Sequence, residues 1–265
     1  MSSPPAASAA AAEASQPYAV VRFSQDCELG SAEDRWLQEG LVAALPDLRM
    51  AELFAARPGL LREAEHLVVN VDRASGQPVS VLGASWMATA AGRRFLHIGV
   101  QFVSARLRRG PVFSTSWLAL LEDAVVTGGF PVLSALRTYN PVAYCAMRAY
   151  GRLPGAVMYP EVGPGGQDPD VTRLAGEIAA TLAPAAPFDP DSGRLAGIGV
   201  PRGLYLSRPR CDDAAVNEHF ERHTVPGDRI LCAVHIRETA TVDAIVENFL
   251  RRAAGSAPAA ATPSP

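Results

Sequence analysis

The sequence predicts a mixed α/β (α+β) domain with a mostly antiparallel central sheet that is flanked by helices. Short runs of β-branched and aromatic residues alternate with longer runs of helical apolar spacing, and three strand candidates follow one another with only turn residues between them. The chain of 265 residues is 48% hydrophobic and 19% charged. This balance is typical of globular proteins, and the chain is long enough to bury a core without disulfides or metal.

The first half begins with a strand and a helix and continues with a three-stranded meander. A β-branched pair predicts a strand over Tyr18–Phe23. Ser31 is the predicted N-cap of a helix that runs through Leu45, with Asp34 at the capping-box position. Turn residues that end in Gly76 predict a hairpin, since glycine accommodates a positive φ. The three predicted meander strands are His66–Val71, Val79–Trp86 and Phe95–Val103.

The second half alternates helices and strands after an arginine-rich loop that ends in Gly110. Apolar residues at helical spacing and β-branched runs locate these elements. The predicted helices are Phe113–Val126, Pro141–Tyr150, Val171–Leu182, Asp213–Arg222 and Thr241–Arg252, and the predicted strands are Pro131–Leu136 and Arg229–Ile236. Residues 1–17 and 254–265 are rich in Ala, Ser and Pro and are expected to be disordered tails, which leaves residues 18–253 as the folded domain.

The composition excludes several classes of function. The net charge of −3 argues against a nucleic-acid partner, because phosphate backbones attract a basic excess. The chain contains no lysine, so a Schiff-base lysine and the lysine of a phosphate-binding P-loop are excluded. The four cysteines show no paired spacing, which is typical of reduced cytosolic thiols. Without a targeting signal or a long apolar run, we expect a soluble, cytoplasmic protein with no membrane span.

The segment 100–151 carries a resemblance to a known family. A strand leads into the loop Val103–Gly110 and then into a helix, and Asn140, Ala143 and Gly151 have the spacing of an Asn-x-x-Ala segment that ends in glycine. Together with the order strand, helix, three meander strands, loop, helix, strand and helix, this resembles the GNAT superfamily of acyl-CoA N-acyltransferases. The resemblance covers roughly half of the chain.

The resemblance implies a GNAT-like fold with a C-terminal extension from about residue 163, and it implies a site for an acyl thioester. In the family the loop before the helix holds a diphosphate, which agrees with the capacity of a helix N-terminus to bind phosphate. The counterpart of Asn140 positions a pantetheine arm that lies in a gap between two strands. The residues expected to bind the CoA or acyl-pantetheine thioester are Val103, Arg106, Arg108, Arg109, Gly110, Val112 and Asn140.

The catalytic candidates depart from the family pattern. Met147 stands where many members carry the tyrosine that protonates the leaving thiolate, so Tyr144 and Tyr150 are the available substitutes. Strand alternation places His97 and Gln101 on one face, from which an imidazole is able to take a proton from an attacking ammonium near neutral pH. His97 is therefore the candidate general base.

Three functions are compatible with these residues. The first is transfer of an acyl group from a CoA or acyl carrier protein thioester to an amine of a small-molecule or peptide acceptor. The second is a non-catalytic module of the same fold, which Met147 and the lack of an acidic base favour. The third is a zinc-dependent hydrolase, but the candidate ligands do not form a metalloprotease motif, so no metal is expected. Those candidate ligands are Cys211, His219, His223, Cys232 and His235.

Overall fold

A computed structural model of the chain describes residues 17–24, 29–108, 110–163 and 165–253. The expected tails, apart from Pro17, lie outside the described residues, as do Cys27 and Arg109. None of the helices within the described ranges has the length and the apolar character needed to cross a bilayer.

The described part of the chain contains nine strands and seven α-helices. The strands are β1 (Tyr18–Phe23), β2 (His66–Asp72), β3 (Pro78–Ala88), β4 (Arg94–Val103), β5 (Leu133–Thr138), β6 (Ala156–Tyr159), β7 (Phe188–Asp189), β8 (Arg194–Leu195) and β9 (Arg229–Ile236). The helices are α1 (Ser31–Ala44), α2 (Met50–Ala56), α3 (Val112–Gly128), α4 (Pro141–Gly151), α5 (Pro169–Leu182), α6 (Ala214–His223) and α7 (Thr239–Ala253). A 3-10 turn spans Ala105–Leu107.

The nine strands form one mixed sheet, which confirms the predicted fold class. Its order is β1-β2-β3-β4-β5-β9-β8-β7, and β6 also pairs with β9. The β4–β5 pair is parallel, and the other described pairs are antiparallel. Since consecutive antiparallel strands need only short turns, the meander β2-β3-β4 forms as the turn residues predict.

Helices cover both faces of the sheet because adjacent strand residues point in opposite directions. In β2, Val68 packs in the same cluster as Leu120 of α3, whereas the next residue, Val69, packs with Leu41 of α1. All four side chains are fully buried, and burial of each stabilises the fold by about 1.5–3 kcal/mol relative to exposure. Helices α3, α4, α6 and α7 therefore share one face, and α1, α2 and α5 share the other.

Two local predictions are corrected. Helix α1 begins at Ser31, but its N-cap is Gly30 and no side chain caps it. Asp34 is buried instead of capping, and its carboxylate pairs with Arg62 at 2.7 Å. The sequence does not predict α2, because its seven residues are only about two helical turns, nor β6, β7 and β8, because strands of four residues or fewer show too little alternation.

Candidate functional site

Strands β4 and β5 diverge after a short parallel contact. Their ladder covers three residue pairs and ends where Ile98 faces Leu136. Beyond this point β4 continues to Val103 and β5 continues to Thr138 without pairing to each other. Because β4 stays paired with β3, and β5 with β9, the opening lies between two well-formed parts of the sheet. We call this opening the strand gap.

A β-bulge at Gly99 lies where the strand gap begins. On β3, Gly83 pairs with Val100 and the next residue, Ala84, pairs with Ile98, so Gly99 has no partner on β3. A bulge inserts one extra residue and thereby reverses the alternation of side chains beyond it. The two halves of β4 consequently present their side chains in opposite phase.

The bulge overturns one sequence prediction. His97 lies on the face of α5, where it lines a cavity together with Thr181. Gln101 lies on the other face, against Phe113 of α3. The prediction that His97 and Gln101 share a face is therefore wrong, since simple alternation does not hold through an inserted residue.

A cavity of about 160 Å³ occupies the strand gap. Its walls come from β4, from β5 with the start of α4, and from the segment that leads to β9. Its charged lining residues are three arginines, and none of the described residues that line it is an aspartate or glutamate. The polar and ionisable lining consists of Arg57, His97, Gln101, Arg137, Thr138, Tyr139, Asn140, Tyr205 and Arg229.

His97 presents a buried ring nitrogen to this region. Its Nε2 atom is inaccessible to solvent and has no hydrogen-bond partner among the described residues. Burial, reinforced by the positive charges of Arg137 and Arg57, lowers the pKa of His97 to about 4. The imidazole is therefore neutral at physiological pH, which is the form that accepts a proton.

Two of the three arginines have no carboxylate partner among the described residues. Arg57 pairs with Glu63 at 2.5 Å, whereas Arg137 donates to the backbone oxygen of Leu182 at 3.0 Å. Arg229 donates to the backbone oxygen of Asp228 at 2.7 Å. Burial lowers the pKa of both Arg137 and Arg229, because their positive charges are neither fully hydrated nor neutralised.

A smaller apolar pocket of about 60 Å³ lies on the opposite face, between α3, α4 and α7. Gln101 lines this pocket as well as the cavity in the strand gap. Two polar groups, the indole N–H of Trp117 and the hydroxyl of Tyr150, are buried there without hydrogen-bond partners among the described residues. Phe249 of α7 packs on both rings, with centroid distances of 5.9 Å to Trp117 and 4.9 Å to Tyr150. Helix α7 thus closes this pocket.

The arginines predicted to bind phosphate are engaged in ion pairs. Arg106 lies 3.5 Å from the carboxylate of Asp72, and Arg108 lies 2.5 Å from that of Asp47. Both arginine side chains are largely exposed, and exposed pairs of this kind contribute little to stability. A phosphate at this loop therefore has to compete with two carboxylates for the guanidinium groups. Arg109 lies outside the described residues.

Of the remaining predicted binding residues, Asn140 lines the cavity in the strand gap, whereas Val103, Gly110 and Val112 are not among its lining residues. Val103 is the last residue of β4, and its carbonyl accepts a bond from Arg108 at 3.3 Å. Gly110 donates its N–H to Leu107 at 3.0 Å, and the buried Val112 begins α3. Asn140 is the N-cap of α4 and lines the cavity.

The arrangement matches the architecture implied by the sequence resemblance. A parallel β4–β5 contact opens into a gap, α3 follows β4, and α4 begins at the mouth of the gap with Asn140 as its cap. These are the features that the resemblance to the GNAT fold implies.

Comparisons with known proteins give fold neighbours of low identity. No family model matches the chain, and no curated protein matches it. Among solved structures, it is similar to Escherichia coli ElaA, at 16% identity over 56% of this chain and 95% of that chain with a TM-score of 0.39. A GCN5-related N-acetyltransferase from Brucella melitensis is 16% identical over 76% of this chain and 91% of that chain, with a TM-score of 0.35. A conserved protein of unknown function from Enterococcus faecalis V583, described as a probable N-acyltransferase, is 14% identical over 89% of this chain and 75% of that chain, with a TM-score of 0.38.

The structure separates the three catalytic candidates. His97 lines the cavity in the strand gap, and Tyr150 lines the apolar pocket, where burial raises its pKa to about 12. Tyr144 lines neither space: it is fully buried, and its hydroxyl donates to the backbone oxygen of Pro160 at 2.8 Å. Met147 also lines the apolar pocket. Tyr144 therefore has its hydroxyl occupied by a bond within the core.

The candidate zinc ligands do not converge. The rings of His219 and His223 lie 4.7 Å apart, but His219 bonds the backbone oxygen of Ser192 at 3.0 Å. The Cys211 Sγ lies against Cys145, 3.3 Å from its Sγ atom. Over the described ranges, no group of three or more His, Cys, Asp or Glu side chains is placed to hold a metal ion.

Sequence reasoning missed the unpaired arginines. Arg137 and Arg229 are 92 positions apart in the chain, and only the pairing of β5 with β9 brings them to one cavity. A signal was present nonetheless, because each is the one arginine of a strand that contains no acidic residue, and arginine is rarely buried without a partner.

Proposed function

We propose that this chain is an N-acyltransferase, which moves an acyl group from a CoA or carrier-protein thioester to the amine of a small-molecule or peptide acceptor. The observation that carries this proposal is the strand gap, whose cavity is lined by both His97 and Asn140. Two of the similar solved structures, one named as a GCN5-related N-acetyltransferase and one as a probable N-acyltransferase, are compatible with this activity.

The thioester arm enters at the open end of the gap in this proposal. Its phosphate lies at the loop that precedes α3, where the first N–H groups of a helix favour an anion. Arg106 and Arg108 assist only after exchanging the carboxylates of Asp72 and Asp47 for phosphate oxygens. Val103, Arg109, Gly110, Val112 and Asn140 complete the proposed binding set.

The chemistry is a direct displacement at the thioester carbon. The neutral amine forms a C–N bond, the C–S bond breaks, and the thiolate leaves with the bonding electron pair. The proton that the acceptor nitrogen loses passes to Nε2 of His97, and the thiolate takes a proton from solvent or from Tyr150. Backbone groups of β4 beyond Ile98 have no partner on β5, and in this proposal their dipoles stabilise the developing oxyanion. Holding both reactants in the gap supplies further acceleration.

The test is thiol release that depends on both enzyme and acceptor. Acyl-CoAs of increasing chain length, and acyl-carrier proteins, are incubated with pooled primary amines, and products are identified by mass. Acylated amine and free thiol in equal amounts support the proposal, whereas no product with any donor and acceptor contradicts it. Comparison of the two donor classes decides between CoA and a carrier protein.

A matched pair of variants connects activity to the strand gap. Ala143 lines the cavity, so Ala143→Leu adds three carbon atoms to the cavity wall. Because these atoms fill space that the proposed substrates need, we expect kcat/KM to fall at least about tenfold, equivalent to ~1.4 kcal/mol. The neighbouring Val142 is 41% exposed, so Val142→Leu is the control and should retain activity. Equal activity of the two variants would place the reaction elsewhere.

A binding module without catalysis is the second candidate. It is favoured by Met147 at the position of the usual acid, by the occupied hydroxyl of Tyr144, and by the low pKa of His97, about 4, which makes it a weak base. In this case donor or acceptor binds with no turnover, and calorimetry combined with the absence of product identifies it.

A further inference from the structure

Arg137 and Arg229 lie side by side on one face of the sheet. In the antiparallel β5–β9 pair, Arg137 faces Leu231, which makes Arg229 its diagonal neighbour. Such neighbours have Cα atoms about 7–8 Å apart and point the same way. Two like charges at this spacing repel each other, and the charge of Arg229 contributes to the lowered pKa of Arg137.

Among the described residues that line the cavity, none is an aspartate or a glutamate that pairs with Arg137 or Arg229. Each guanidinium has five N–H donors, and the described bonds of Arg137 and Arg229 go to backbone oxygens of Leu182 and Asp228. The Asp228 carboxylate is engaged by the backbone N–H groups of Gly197 and Val225. Donors therefore remain available on two adjacent cations that line one cavity, and a planar anion is the group that such donors recognise.

The position of the pair separates it from the thioester loop. The neighbours of these arginines along their strands, Leu136 and Ile230, pack in the cluster of α3. Successive strand residues point to opposite faces, so both guanidiniums lie on the face opposite α3. Their anion is thus distinct from a phosphate held at the N-terminus of α3.

We infer that Arg137 and Arg229 bind the carboxylate of the acceptor, so that the acceptor is an amino acid rather than a simple amine or a polycation. The inference rests on the proposed function for the role of the amine, but the anion site itself does not. A carboxylate held by Arg137 places the amine of a small amino acid toward His97, which lies close enough to Arg137 to be affected by its charge. The absence of lining acids disfavours acceptors that carry several positive charges.

Occupancy of this site also affects the candidate base. The charge of Arg137 contributes to the low pKa of His97, and a bound carboxylate cancels much of that charge. The imidazole thereby becomes a stronger base when an acceptor is in place. An amino acid with its carboxylate intact is thus favoured in the chemical step as well as in binding.

The experiment measures binding without any acyl donor. Calorimetric titrations compare each of the standard amino acids with its carboxamide, and inorganic phosphate is titrated separately at equal ionic strength. We expect at least one amino acid to bind about tenfold or more tightly than its carboxamide. Arg137→Met and Arg229→Met should each remove this preference, whereas Arg173→Met should retain it, because Arg173 is exposed on α5, pairs with Asp170 and Glu177, and does not line the cavity.

Each outcome decides the inference. Equal affinity for acid and carboxamide, no binding by any amino acid at millimolar concentration, or binding of inorganic phosphate alone would overturn it. Should a methionine variant fail to fold, the acid–carboxamide comparison on the unmodified protein still gives the answer, and Arg137→Lys and Arg229→Lys serve as milder variants. A preference for the amino acid over its carboxamide, without thiol release in the activity assay, would support the carboxylate site and contradict the proposed transferase activity.

Discussion

The low pKa of His97 predicts how the stability of the fold depends on pH. In the unfolded chain the imidazole titrates near its ordinary value of 6.5, and in the folded protein it titrates at about 4. Above pH 7 both states are neutral and the group has no effect. As pH falls from about 6.5 to 4, the unfolded state binds a proton that the folded state does not bind, so the free energy of unfolding decreases.

The size of this effect follows from the same values. A difference of one pKa unit corresponds to 1.36 kcal/mol, so the folded protein loses up to about 3 kcal/mol through His97 as pH passes below 4. At a pH near 4.5 most of that loss, about 2–3 kcal/mol, is already present. The variant His97→Gln keeps a polar side chain of similar size but does not titrate.

The assay is urea unfolding of both proteins at pH 7.5 and near pH 4.5. The pH-dependent loss of stability should be smaller in His97→Gln than in the unmodified protein by about 2–3 kcal/mol. Gln101→Asn, on the same strand but without a titrating group, is the control and should follow the unmodified protein. Identical pH dependence of the unmodified protein and His97→Gln would refute the claim that His97 is kept neutral in the fold.

Three further predictions concern the packing around the site. Asp213→Ala should lower the free energy of unfolding by about 3 kcal/mol, because Asp213 both caps α6 and pairs with the buried Arg148, and loss of either role is destabilising. Urea unfolding measures this change, and a loss below about 1 kcal/mol would contradict the prediction. Phe249→Ala should lower the free energy of unfolding by about 3–5 kcal/mol, since the ring is 2% exposed. It should also enlarge the apolar pocket enough to bind a fluorescent apolar dye, and unchanged dye binding would show that α7 does not close the pocket. Gly83→Ala should lower the free energy of unfolding by about 1–3 kcal/mol, because the Cβ of the new alanine would lie 2.6 Å from a methyl carbon of Val100. A thermal unfolding midpoint equal to that of the unmodified protein would contradict this close packing of β3 against β4.

Much of the fold was predictable because the elements are local. The meander β2-β3-β4 was identified from strand runs and turn residues, and the helix that follows β4 was identified from its apolar spacing. Sequence-based prediction of the fold failed at positions where a single residue changes the local backbone geometry. Ser31 was taken as a cap where Gly30 is the cap, and the bulge at Gly99 has no signature in the alternation of apolar and polar residues.

The site was predictable in location and less so in detail. The opening between two strands followed from the resemblance at Asn140, and the structure places Asn140 and His97 in one cavity there. The ion pairs of Arg106 and Arg108 depend on Asp72 and Asp47, which come from distant parts of the chain. Long-range pairing of this kind is determined by tertiary structure, so local sequence reasoning treats every arginine of the loop as equally available.

The three residue pairs between β4 and β5 are a short parallel ladder that connects two contiguous parts of the chain within the sheet. The wall on one side comes from the N-terminal half through β4, and the wall on the other side comes from the C-terminal half from β5 to β9. His97 belongs to the first half, and Arg137 and Arg229 belong to the second. Each half contributes part of the cavity wall, so the acceptor that we propose, which contacts His97 on one side and the two guanidiniums on the other, also links the two halves of the molecule.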